Sequence, residues 1–73
     1  MAIENNIRVY RAKHGLTQEE LAKRVNVTRQ TIISLEKGSY VPSLELAMKL
    51  AENFKVSVEE IFYLEKKGEN ENG

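Results

Sequence analysis

The chain has 73 residues, of which 41% are hydrophobic and 30% are charged, and it contains no cysteine. This length predicts a single soluble domain close to the lower limit for independent folding, so pairing with a second copy would add useful stability. The lack of cysteine excludes disulfides, thiolate zinc sites and a cysteine nucleophile, and it fits a cytoplasmic location. No apolar run reaches the roughly 18 residues of a transmembrane helix, and no apolar signal segment follows Met1, so we expect no membrane association.

The formal net charge is zero, but the charges are unevenly distributed. Residues 1–40 hold seven Lys/Arg and four Glu, whereas residues 41–73 hold four Lys/Arg and seven Glu. This asymmetry favours a protein with one basic, nucleic-acid-binding face and a second, different face.

A first helix is predicted over residues 4–14. Ile3, Ile7 and Tyr10 repeat at helical spacing, and Gly15 is a typical helix terminator. No alternation of period two is long enough to predict a strand with certainty.

Four Ser/Thr residues followed by helix-forming sequence mark the starts of the later helices. These caps are Thr17, Thr28, Ser43 and Ser57. They predict helices over residues 18–25, 29–37, 44–54 and 58–62. The chain is therefore predicted to be an all-α, five-helix domain over residues 1–65, and the polar residues 66–73 are predicted to be a disordered tail.

Residues 18–37 predict two helices of about eight residues joined by a sharp turn. The small side chain of Ala22 permits a close crossing of the two helices. Asn26 falls in the turn, where we expect a positive φ, because Asn tolerates this conformation better than most residues other than Gly. Ile32 and Leu35 anchor the second helix in the core.

The remaining side chains of the second helix form its outward face. Arg29, Gln30 and Ser34 carry the groups that read base edges in DNA: guanidinium for guanine, amide for adenine and hydroxyl for either. Ile33 lies on the same face, where it either touches a thymine methyl group or is partly exposed without reading sequence. The face as a whole predicts a DNA recognition helix that enters the major groove.

The motifs LTQEELA, TRQTI, LEKG and PSL occur in this order within residues 15–62. This stretch resembles the helix-turn-helix domain of phage Cro proteins and repressors, and it is more similar still to small stand-alone regulators of bacteria and archaea. The resemblance implies a lambda-repressor-like fold and a homodimeric transcriptional regulator, expected to be a repressor. It also implies that the partner is double-stranded DNA with a palindromic operator.

The resemblance also implies roles for individual residues. Gln18 would bind a phosphate and support residue 29, and Thr28, Lys37 and Ser39 would contact phosphates. Arg11 and Glu36 match a pair that forms a structural salt bridge between the first and third helices. Asn26 departs from the Gly that is usual in the turn. For Arg8 and Lys13, a contact with the DNA backbone and plain solvent exposure remain equal alternatives.

Apolar residues beyond the needs of a small core predict a dimer interface. Leu46 and Met48 flank the predicted buried stripe of the fourth helix, which consists of Leu44, Ala47, Leu50, Ala51 and Phe54. The chain then continues with four consecutive apolar residues. The predicted interface comprises Leu46, Ile61, Phe62, Tyr63 and Leu64. In similar regulators the C-terminal segment contributes to the dimer, in some cases as a short strand.

Neither catalysis nor metal binding is indicated. His14 is the single histidine, the chain has no Asp, and the Glu19–Glu20 and Glu59–Glu60 pairs are explained by helix first turns. We therefore predict no cofactor, no metal and no enzymatic activity. A second hypothesis stays open: the neutral net charge and the acidic half also fit a protein-interaction module, such as an antitoxin.

Overall fold

The computed structural model describes residues 3–65. In chain order its elements are β1 (Ile3–Asn5), α1 (Ile7–Lys13), α2 (Gln18–Arg24), α3 (Arg29–Lys37), α4 (Leu44–Phe54), α5 (Val58–Ile61) and β2 (Phe62–Leu64). The five predicted helices and a short C-terminal strand are confirmed. The predicted polar tail, residues 66–73, lies outside the described residues.

All four predicted caps are confirmed. The Thr17 hydroxyl accepts a hydrogen bond from the Glu20 backbone N–H at 3.0 Å, and the Glu20 carboxylate accepts one from the Thr17 N–H at 2.8 Å. Ser57 forms the same reciprocal capping box with Glu60, and the side chains of Thr28 and Ser43 each accept one backbone N–H of the following turn. These bonds satisfy N–H groups that a helix start otherwise leaves unpaired, so the starts of α2, α3, α4 and α5 follow directly from the sequence.

The prediction of a helix from residue 4 was wrong. Residues Ile3–Asn5 form strand β1, which pairs antiparallel with β2 in the register Ile3↔Leu64, Glu4↔Tyr63 and Asn5↔Phe62. The backbone N–H of Asn6 also donates to the Ile61 carbonyl at 2.8 Å. Pairing with the distant C-terminal segment therefore overrides the helical spacing at the start of the chain, and α1 begins only at Ile7.

The core lies where the five helices meet. Each helix contributes at least one completely buried aliphatic side chain; these include Ile7, Leu21, Ile32, Leu35, Leu50 and Ile61. Burial of one such side chain stabilises a fold by roughly 1.5–3 kcal/mol. Because α3 supplies two of them, its orientation is fixed by the core rather than by its own short length.

The buried stripe of α4 differs from the prediction at two positions. Leu46 is buried, with 6% of its surface exposed, whereas Leu44 is 73% exposed. Leu46, Leu50 and Phe54 recur every four residues and share one face of the helix. Leu44 and Met48 are also four residues apart, but they lie on another face and are exposed.

No helix within residues 3–65 has the length and apolar character required to cross a membrane.

Candidate nucleic-acid interface

Helices α2 and α3 pack against each other across the predicted sharp turn. Ala22 is 2% exposed, as expected for the small residue where the two helices cross closely. Asn26 has the predicted positive φ, 62°, and the following residue, Val27, donates its backbone N–H to the Ala22 carbonyl at 2.9 Å. The turn thus folds the chain back sharply and holds α3 against α2.

Helix α3 is divided lengthwise into a buried side and an open side. Ile32 and Leu35 are completely buried, while Arg29, Gln30 and Lys37 are exposed. Ile33 and Ser34 are half-buried at the edge between the two sides. The sequence therefore predicted the exposed side correctly for Arg29, Gln30 and Lys37. Ile33 and Ser34 are less accessible to solvent than these three residues.

The N-terminal end of α3 carries a hydroxyl pair. Thr28 Oγ1 accepts the Thr31 backbone N–H at 3.3 Å and lies 3.0 Å from Thr31 Oγ1, in a hydrogen bond that either hydroxyl can donate. If Thr31 donates, the proton of the exposed Thr28 hydroxyl is free for an external acceptor. The geometry thus allows Thr28 to cap the helix and to bind a phosphate oxygen simultaneously.

The carboxylate of Glu36, in the last turn of α3, joins three helices. Its side chain is only 3% exposed. Arg11 of α1 donates Nε to Oε2 at 2.7 Å and Nη2 to Oε1 at 3.3 Å, while Gln18 of α2 donates Nε2 to Oε1 at 3.1 Å. A second α1 guanidinium, that of Arg8, lies 3.9 Å from Oε1. The salt bridge implied by the resemblance is therefore present, and it belongs to a larger polar network.

Two of the residues assigned to phosphates have partners that the sequence did not indicate. The Gln18 amide donates to Glu36, and the structure gives it no hydrogen bond to Arg29. The Ser39 hydroxyl donates to the Ser34 carbonyl at 3.3 Å, so it must rotate before it can donate to a phosphate. Lys37 is exposed, next to the left-handed Gly38 (φ 81°) that ends α3.

An open groove separates α1 from the starts of α2 and α3. Its volume is about 670 Å³, and its borders include Arg8, Arg11, Thr17, Gln18, Arg29 and Glu36. We call it the α1–α3 groove. Because Arg29 and Gln18 both border it, the groove opens on the same side of the domain as the start of α3.

The predicted dimer interface requires two corrections. Leu46 and Ile61 are 6% and 0% exposed, because both complete the core of their own domain and present no surface to a second copy. Phe62 is half-buried, and Tyr63 and Leu64 are 43% and 54% exposed.

A group of exposed or half-buried apolar residues lies instead at the end of the sheet. Opposite residues of an antiparallel pair share a face, so Ile3, Leu64 and Phe62 lie on one face, and Tyr63 lies on the other with Glu4. Ile3, Phe62 and Val41 also border one shallow cavity of about 140 Å³. We call Ile3, Val41, Phe62 and Leu64 the apolar patch. The sequence analysis missed Ile3 and Val41, since their contribution depends on the strand pairing.

These features define the class of protein. The domain is a helix-turn-helix, with a capped second helix that the core and the Glu36 network hold in place. A family model described as helix-turn-helix (HTH_3, the Cro/C1 type) matches residues 7–61, and the chain belongs to that family. It is therefore a helix-turn-helix transcriptional regulator of the DNA-binding type.

Comparisons with known proteins agree with this assignment. An uncharacterized HTH-type transcriptional regulator of Methanocaldococcus jannaschii is 56% identical over 63 residues, covering 86% of this chain and 96% of the relative. The cryptic phage CTXphi transcriptional repressor RstR of Vibrio cholerae is 37% identical over 57 residues, covering 78% of this chain and 51% of that repressor. Among solved structures, the restriction-modification controller protein C.AhdI of Aeromonas hydrophila is similar with a TM-score of 0.68 and 31% identity, covering 74% of this chain and 82% of that one.

Proposed function

We propose that the chain is a homodimeric repressor that binds a palindromic operator with α3 in the major groove. The observation that carries this proposal is the composition of the exposed side of α3. Arg29 and Gln30 are exposed in its first turn, and the half-buried Ser34 follows about one turn later. These are the side chains that pair with guanine, adenine and either base, respectively, and a recognition helix presents its N-terminal residues to the base edges.

Four further residues bind phosphates in this proposal. Gln18, Thr28, Lys37 and Ser39 lie at the start of α2 and at the two ends of α3. Contacts of this kind set the position of the protein on the duplex without reading sequence. Ile33, half-buried beside the base-reading residues, contacts the methyl group of a thymine.

The dimer is proposed because one recognition helix covers only a few base pairs. A two-fold dimer doubles the base contacts and requires half-sites spaced about 34 Å apart, one turn of DNA. The apolar patch supports it, since exposed apolar clusters commonly mark interfaces. In this proposal Phe62 and Leu64 keep their predicted interface role and Ile3 and Val41 join them, whereas Tyr63 lies on the opposite face of the sheet and is left out.

A repressor role is supported by the relative that carries this name, RstR. A small domain that occupies an operator represses simply by excluding other proteins from it. Such a regulator acts where the DNA is, so we place its action in the cytoplasm.

Selection of bound sequences from random duplex DNA tests the proposal. We expect a palindrome whose half-sites are centred one helical turn apart. The selection repeated with Arg29→Ala should lose preference at one position of each half-site, with a binding loss of about 1–3 kcal/mol. Arg24→Ala, an exposed arginine at the end of α2, is the matched control and should leave the selected sequence unchanged. Recovery of random sequence with wild-type protein would refute operator-specific binding.

The dimer interface has its own test. Leu64→Glu places a charge in the apolar patch, so sedimentation equilibrium should give a monomer where the wild type gives a dimer. Val9→Glu alters an equally exposed apolar residue of α1, 51% exposed, and should leave the dimer intact. If both variants remain dimeric with wild-type affinity, the interface lies elsewhere.

A further inference from the structure

Among residues 3–65, the ion-pair partner of Arg8 is Glu36, a carboxylate that is already hydrogen-bonded to other residues. Its guanidinium Nε lies 3.9 Å from Glu36 Oε1, yet 76% of its side chain is exposed. Glu36 already receives two hydrogen bonds from Arg11 and one from Gln18. The carboxylate is therefore neutralised without Arg8, and an ion pair at this distance and exposure contributes little to stability.

The surroundings of Arg8 favour a second anion. The α1–α3 groove brings three guanidinium groups, those of Arg8, Arg11 and Arg29, to the edge of one open volume. Within residues 3–65, two carboxylate side chains, those of Glu19 and Glu36, border the same groove. Since Arg11 is committed to Glu36, the excess positive charge of the groove resides on Arg8 and Arg29.

Glu36 also prepares Gln18 for this site. An amide nitrogen carries two hydrogens, and the bond to Glu36 uses one of them. The other remains for an acceptor in the groove. One buried carboxylate thus holds the Gln18 amide in place, while the neighbouring Arg8 stays free to supply a full positive charge.

We propose that Arg8 is a DNA-binding residue, which grips a backbone phosphate at the α1–α3 groove together with the Gln18 amide. The inference rests on the proposed function, because the phosphate belongs to the duplex that α3 reads. Helix α1 thereby becomes a third DNA-contacting element. Its contact carries no sequence information, since every nucleotide presents the same phosphate.

Lys13 provides an internal comparison on the same helix. Its ammonium lies 5.3 Å from the centroid of the Tyr10 ring, and it does not border the groove. Lys13→Ala therefore removes one positive charge from α1 without touching the proposed phosphate site.

The test is the salt dependence of duplex binding, measured by fluorescence anisotropy from about 50 to about 200 mM KCl. One lost phosphate contact should reduce the slope of log K against log salt by about 0.9. The affinity ratio of wild type to Arg8→Ala should then shrink by about 3.5-fold across this range. The loss should be equal on the selected operator and on a random duplex, and Arg8→Lys should retain the wild-type slope.

Several results would overturn the role of Arg8. These are an unchanged slope in Arg8→Ala, an equal slope reduction in Lys13→Ala, or a loss confined to the operator. Thermal unfolding of Arg8→Ala should match the wild type, which separates DNA contact from structural damage. Wild-type protein with no salt-dependent binding to any duplex would instead refute the proposed function itself.

Discussion

Removal of the Arg11 guanidinium should lower the free energy of unfolding, because the buried carboxylate of Glu36 would lose its ion-pair partner. Arg11→Met keeps most of the apolar stem of the side chain but leaves a carboxylate that is 3% exposed with Gln18 as its one close donor. Breaking a buried ion pair on one side costs about 3–5 kcal/mol. Arg8 can move in from 3.9 Å and compensate in part, so we expect a loss near the lower end, about 3 kcal/mol.

The diagnostic result is a rescue. Arg11→Met combined with Glu36→Gln removes both charges and retains an acceptor for the Gln18 amide, so the double variant should be more stable than Arg11→Met alone. Glu36→Gln alone should cost less than Arg11→Met, because Arg11 is 18% exposed and still donates to the Leu16 carbonyl at 3.1 Å.

Urea unfolding at a fixed protein concentration measures these differences. With a slope of about 1 kcal/mol per molar for a domain of this size, the midpoint of Arg11→Met should fall by about 3 M. The concentration must be held constant, because dimerisation would shift the apparent stability. A loss below about 1 kcal/mol, or a double variant no more stable than Arg11→Met, would refute the argument that Glu36 depends on a buried ion pair.

Two further predictions concern helix ends. The backbone N–H of Thr17 donates to Glu20 and lowers the pKa of that carboxyl, so its stabilising effect is complete above the ordinary glutamate pKa and is lost as the pH falls through the lowered value. Glu20→Gln should flatten the acid limb of a stability-versus-pH curve, and Glu19→Gln, a change at the neighbouring exposed glutamate, is the matched control. Lys55 ends α4 with a φ of 62°, a conformation that glycine adopts more easily than lysine. Lys55→Gly should therefore raise the free energy of unfolding by about 0.5–1 kcal/mol, whereas Lys55→Ala should not. Equal melting temperatures for the wild type and both variants would argue against backbone strain at Lys55.

Local signals in the sequence were sufficient for the helix-turn-helix unit. A Ser or Thr cap satisfies N–H groups within three residues of itself, and the preference of Asn26 for a positive φ belongs to that residue alone. Neither requires knowledge of the rest of the fold. The starts of α2 and α3 and the turn between them were therefore predicted at the right residues.

The features that were missed depend on partners far away in the chain. Strand β1 forms because residues 3–5 pair with residues 62–64. An alternating pattern of only three residues is too short to predict a strand. At α4, Leu44 and Leu46 are equally hydrophobic, so composition could not decide which one faces the core. The left-handed Lys55 was missed because neither Gly nor Asn occupies the position directly after Phe54, where α4 ends.

The small sheet contacts α3 directly, a connection that the helix-turn-helix motif in the sequence does not predict. The side chain of Asn5, in β1, donates Nδ2 to the Leu35 carbonyl of α3 at 2.7 Å and accepts the Ile7 N–H at 3.2 Å. Leu35 is completely buried, so this bond joins the sheet to the part of α3 that is packed in the core. The apolar patch at the end of the same sheet is the proposed dimer contact. In the proposed dimer, the separation of the two α3 helices, and with it the spacing of half-sites, would be set by the contacts that run from the patch through β1 and Asn5 to α3. The proposed dimer contact and the proposed DNA-reading helix are therefore joined within one domain, because β1 carries Ile3 of the patch and also Asn5, which donates to α3.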